Sequence, residues 1–163
     1  MLAAAVAVLL ALAASNAASD DSPRHPVPAS PVRAMPSLAR SDPMVREALL
    51  KLDGGEALAP LLASDDLIRR FVASVDEVAS GGAREHAMAI RAFEGLEPGA
   101  AVPLYSRLYP LMQQAYEESS PDGYFNDRFV QAIDRLLDDA AHAPAHAKLR
   151  EVRSRLALRP PGS

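Results

Sequence analysis

All four tyrosines of the chain, Tyr105, Tyr109, Tyr116 and Tyr124, fall in one stretch that also holds Arg107, Asp122, Asn126, Asp127 and Arg128. A phenol carries a large apolar body and a hydroxyl, which suits both interface anchors and polar pockets. If the tyrosines, acids and arginines converged on a concavity, they could hold a small ligand or support hydrolysis. The competing reading is packing: Tyr105, Tyr109 and Tyr116 stand at near four- and seven-residue spacing, which lays them along one helical face with their hydroxyls at its rim.

Three further groups bear inspection. Asp122, Asn126 and Asp127 offer oxygens to a hard cation, yet they lack the alternating spacing and central glycine of a calcium loop. Turn and cap roles explain them better. Asp138, Asp139, His142 and His146 have the three- and four-residue offsets that gather zinc ligands on one helical face, but Pro144 interrupts that face and favours an inter-helix loop. Arg69 and Arg70 sit among Asp65, Asp66, Asp76 and Glu77. A phosphate or carboxylate could bind there, although the wet face of an amphipathic helix is the simpler reading, since the acids already compensate the charge. None of these groups forms a catalytic or cofactor motif, so the expected binding set is Arg69, Arg70, Tyr105, Tyr109, Tyr116, Asp122, Tyr124, Asn126 and Asp127, with no metal and no cofactor.

Composition narrows the elements that must position them. The chain has 163 residues and no cysteine, which excludes a thiol nucleophile, an iron–sulfur cluster and a cysteine zinc site. Stability must come from apolar packing, which one domain of roughly 118 residues supplies without staples. With 17 basic and 21 acidic residues and a net charge of -4, there is no broad positive field for nucleic acid.

Leu2 to Ala14 are uninterrupted alanine, valine and leucine, and Ser15-Asn16-Ala17 presents small residues where a signal peptidase reads. Residues 1–18 are thus expected to be a signal peptide or a short membrane anchor, shorter than the roughly 20 residues of a full span. From Ser19 to Arg40, five prolines among serine, alanine, arginine and histidine predict an extended, solvated linker; a Pro-X-X-Pro ligand for a partner is its alternative role.

Residues 41–158 read as an all-α bundle of four to six helices. Ser41-Asp42-Pro43 caps a first helix that stops at Gly54-Gly55, and a short apolar piece follows (Leu58, Pro60, Leu61, Leu62). Ser64-Asp65-Asp66 then caps an apolar stripe of Leu67, Ile68, Phe71, Val72, Val75 and Val78, closed by Gly81-Gly82. Ala83 to Glu94 reads as a weaker helix. A longer one runs from Pro98 to Ser119, with a kink expected at Pro110. Pro121-Asp122-Gly123 turns the chain into a helix carrying Phe125, Phe129, Val130, Ile133, Leu136 and Leu137. The last helix starts near Ala145, and residues 159–163 form a tail.

The segments SDPMVREALLKL, DDLIRRFVASVDEVASG, LYSRLYPLMQQAYEE, PDGYFNDRFVQAIDRLL and AKLREVRSRL resemble the proteobacterial domain-of-unknown-function family 3014. The resemblance implies an N-terminal membrane segment, a proline-rich linker and a helical domain on the periplasmic side. It implies no activity. Relative to the family this chain is shortened at Gly81 to Ala101 and at Ala140 to Ala147, which bears on any pocket those segments complete. The functional expectation is a non-enzymatic envelope protein, soluble in the periplasm or tethered to the inner membrane, whose helical domain binds another envelope protein. The alternative is a periplasmic small-ligand-binding or hydrolytic domain using the tyrosine, aspartate and arginine cluster.

Overall fold

The computed structural model describes residues 23–27, 34–82, 96–120, 122–139, 143 and 145–156. Within them the apolar periodicity becomes five α-helices: α1 (Asp42–Leu50), α2 (Leu67–Ala79), α3 (Pro98–Ser119), α4 (Phe125–Asp138) and α5 (His146–Leu156). No strand occurs among the described residues. The apolar piece between α1 and α2 forms two short 3-10 turns, Gly55–Leu58 and Leu61–Ala63. Arg46 fastens the second to α1 by donating from Nε to the Leu62 carbonyl at 2.7 Å and from Nη2 to the Ser64 carbonyl at 3.2 Å.

Helix α2 buries Leu67, Ile68, Val72, Val75, Val78 and Ala79 on one side, the stripe expected of a 3.6-residue period. That side lies mainly against α4 and α3, with α1 beside it, and α5 closes the bundle against α4 and α3. The deepest side chains, Phe125, Ile133, Leu156 and Val130, contribute about 1.5–3 kcal/mol each by leaving water. Where α2 ends, the Gly82 N–H donates to the Glu77 carbonyl and the Gly81 N–H to the Val78 carbonyl. With Gly81 at φ 108°, this is a Schellman cap, and it explains why the helix stops there.

The caps expected at the first two helix starts do not form. Ser41 does not cap α1: its side chain is fully buried and its hydroxyl donates to the Leu38 carbonyl. Nor does Ser64-Asp65-Asp66 cap α2. Asp66 sits in the left-handed region at φ 57°, and the carboxylate of Asp42, on α1, accepts the N–H groups of Asp66 and Leu67 at 2.7 and 3.0 Å. The α3 helix runs unbroken from Pro98 to Ser119 with Pro103 and Pro110 inside it. Both prolines are exposed, so their rings stay clear of the core.

The packed region begins earlier than Ser41. Leu38 is buried in a 3-10 turn at Leu38–Arg40, and Val27 and Met35 pack against the core. The linker reading therefore needs correction at these residues, because leucine, methionine and valine among the prolines supply apolar surface that the bundle covers. The apolar leader, the helix expected at 83–94 and the tail at 159–163 lie outside the described residues. Among the described residues no helix is long and apolar enough to cross a membrane.

Candidate functional site

The tyrosine stretch sits where α3 crosses the start of α4. Tyr105, Ser106, Leu108, Leu111, Met112 and Ala115 are buried along α3, so the four-residue spacing of Tyr105 and Tyr109 points both rings at α4. The Tyr105 ring stacks on Phe129 with centroids 5.0 Å apart, and Tyr116 tilts against Phe125 at 5.9 Å. Phe71 of α2 meets both phenylalanines edge-on at 6.0 and 5.8 Å, an arrangement favoured by ring quadrupoles.

The polar ends of these rings form a connected network. The Tyr105 hydroxyl donates to Asn126 Oδ1 at 2.8 Å. The Tyr109 hydroxyl donates to Gln113 Oε1 at 2.8 Å, and the same oxygen accepts the Phe125 N–H at 2.8 Å. Gln113 Nε2 donates in turn to the Gly123 carbonyl and to Glu117. Because Tyr124 at the start of α4 makes no side-chain cap, Gln113 performs that task from α3 and satisfies an otherwise orphaned N–H. Burial, aided by the charges of Tyr109 and Asp127, pushes the Tyr105 phenol well above its ordinary value. Burial also pushes Tyr109 up to about 12, against the lowering hydrogen bond from the Asn126 backbone. Both phenols are therefore neutral donors at physiological pH.

On the outer side of the network, the proline-rich segment docks. Asp127 accepts the Arg24 N–H on one carboxylate oxygen at 3.0 Å and the His25 N–H on the other at 2.7 Å. Asn126 Nδ2 donates to the His25 carbonyl at 2.5 Å. Asn126 is fully buried and joins Tyr105 on one side to the proline-rich segment on the other. Arg24 and His25 then form part of the rim of an open cleft of about 660 Å³, whose other walls include Asp76, Tyr116, Tyr124, Asp127 and Arg128. Arg128 crosses from α4 to α2, donating to Asp76 Oδ1 at 2.6 Å, to the Asp76 carbonyl at 3.1 Å and to Ser80 Oγ at 2.7 Å.

The structure thus brings together Tyr105, Tyr109, Asn126 and Asp127, and places Tyr116 and Tyr124 on the adjoining cleft. Asp122 is exposed in the turn that Gly123 makes at φ 110°. Arg69 and Arg70 stand apart. Arg69 donates to both oxygens of Glu118 and to Asp66, a pairing that raises its pKa and lowers that of Glu118. It lines a second cleft of about 470 Å³ with Val72, Ala73 and Glu118, whereas Arg70 is exposed on the wet side of α2. Among the described residues no three His, Asp or Glu gather as metal ligands. His146 Nε2 lies 3.1 and 3.2 Å from the carbonyls of Leu136 and Asp139, so it carries a proton and closes the end of α4; His142 lies outside the described residues.

Residues 78–155 match the model of a family described as "Protein of unknown function (DUF3014)". That match supports membership of the family. No curated protein and no solved structure matches it. The DUF3014 match takes in α3, α4 and nearly all of α5, hence Tyr105, Gln113, Asn126 and Asp127, and leaves α1, most of α2 and the docked Arg24-His25 outside. Sequence reading missed Gln113, Arg24 and His25 as parts of the site. Gln113 stands four residues after Tyr109, on the same helical face, which is the one signal that pointed to it.

Proposed function

We propose that this chain is an exported or membrane-tethered bacterial envelope protein whose helical domain binds another protein. The apolar run Leu2 to Ala14 followed by Ser15-Asn16-Ala17 supports export or anchoring. The observation that carries the binding role is the grip of Asn126 and Asp127 on the main chain of Arg24-His25: this end of α4 already engages polypeptide. A small-ligand or hydrolytic role would draw on the same cleft, but the Tyr105 and Tyr109 hydroxyls are committed to Asn126 and Gln113, which favours the protein-binding reading.

The test uses the tagged full-length chain as bait in membranes. Asp127→Ala and Gln131→Arg, both at the cleft, are expected to lose a partner that the wild type and Arg70→Ala recover. Identical partner profiles in all four would overturn the proposal. Mass spectrometry of the chain from membrane and soluble fractions reports whether residues 1–18 are retained in an anchored form or removed.

A further inference from the structure

The docked segment has a pattern that its contacts explain. Pro23-Arg24-His25-Pro26-Val27 is followed at once by Pro28-Ala29-Ser30-Pro31-Val32, a tandem five-residue repeat of the form Pro-X-X-Pro-Val. In the first repeat the two central residues supply the successive N–H groups that enter the Asp127 carboxylate, one to each oxygen, and the second of them supplies the carbonyl that Asn126 holds. A proline at either central position would lack the donor. The chain bends at Arg24 and His25, which turns these two successive N–H groups to the same side, so that one carboxylate of α4 meets both. Val27 packs against the core, while the Arg24 side chain is exposed. The contacts therefore read main chain and one apolar residue, and ignore the identity of the first X.

We propose that the Asn126–Asp127 end of α4 is a peptide-reading site for Pro-X-X-Pro-Val segments bent at the two central residues, and that the first repeat of the tether is its built-in, displaceable ligand. The inference rests on the protein-binding reading above and names its ligand class. The same chemistry has two sources, the second repeat of this chain or a segment of another polypeptide. A segment joined to its own site by a short tether acts at an effective concentration near the millimolar range, so a free peptide of the same class must compete against it.

The test measures anisotropy of a fluorescent peptide spanning Ser22 to Val27 against the full-length chain. The substitutions Arg24→Pro, His25→Pro, Ala29→Pro and Ser30→Pro together remove the donors of both repeats without touching the helices. This variant is expected to bind the peptide at least about tenfold more tightly than wild type. Adding Asp127→Ala, or the more conservative Asp127→Asn, should reverse the gain while circular dichroism stays helical. Substituting only the first repeat gives an intermediate affinity if the second repeat serves the site, and the full gain if the second source is another polypeptide. No binding by the four-proline variant, or binding indifferent to Asp127, would overturn the inference. A flat titration beside a partner that Gln131→Arg still loses would remove this ligand class and leave the protein-binding function, whereas a saturating titration with no recovered partner would do the reverse.

Discussion

Replacing Asn126 with alanine tests the centre of the site most directly. The residue has no exposed surface, and its loss leaves the Tyr105 hydroxyl, itself on a buried side chain, without an acceptor. An unsatisfied buried hydroxyl costs about 1–3 kcal/mol, and the small void left by the amide adds to it, for a total of about 2–4 kcal/mol. Tyr105→Phe removes the hydroxyl and leaves Asn126 Oδ1 short of one donor, a loss of about 1–2 kcal/mol. The double variant no longer suffers either orphan, so its destabilisation should fall short of the sum by about 1 kcal/mol. Urea unfolding followed by far-ultraviolet circular dichroism reads this as midpoint shifts at an unchanged slope. Thermal midpoints should drop by roughly 10 °C for Asn126→Ala in a domain of this size. Additivity of the two substitutions within about 0.3 kcal/mol would refute the reasoning, because it would mean that the two side chains do not meet.

Three other outcomes are expected. In an alkaline titration at 295 nm, Tyr105 and Tyr109 ionise late: both folded-state values lie above the ordinary 10.0, so their stabilisation is intact below pH 10.0 and drains away as the pH rises through about 12, the value for Tyr109; Tyr105→Phe and Tyr109→Phe should each delete part of that late absorbance change. Asp42→Ala should cost about 0.5–2 kcal/mol in urea unfolding by uncapping α2, whereas Asp65→Ala should stay within about 0.5 kcal/mol. Gly55→Ala should destabilise by at least about 1–3 kcal/mol, since a Cβ there would stand 2.2 Å from the Leu49 carbonyl oxygen; Gly123, with nothing within 4 Å of an added Cβ, should show only the cost of its positive φ, about 1 kcal/mol.

The helices were legible because each carries its own evidence. The stripe from Leu67 to Val78 and the pairing of Pro98 with Ser119 mark α2 and α3 to within a residue or so. Caps were not legible where their partner is remote: Asp42 and Asp66 are 24 positions apart, and no local pattern announces that a carboxylate on one helix will serve another. The docking of Arg24-His25 was hidden for a related reason. It is made by main-chain N–H and carbonyl groups, which every non-proline residue has, so a proline-rich composition spoke only of extension. As for the site, clustering pointed correctly to the tyrosine stretch, but neighbours in sequence part company on a helix. Arg69 turns toward Glu118 while Arg70, one position and some 100° further round, meets solvent.

Because α2 and α4 begin on N–H groups satisfied by Asp42 and Gln113 of other helices, neither has a self-contained nucleus, and isolated helices of 13 and 14 residues are marginal in water. The bundle should form and melt cooperatively, as one unit. A fragment trimmed to residues 78–155 would forfeit Phe71, Val72 and Val75 from the interior and take most of α2 and the docked Arg24-His25 away from α4. The boundary of the recognised family segment therefore does not coincide with the boundary of the autonomous folding unit, and expression designed on the former should yield an aggregating chain.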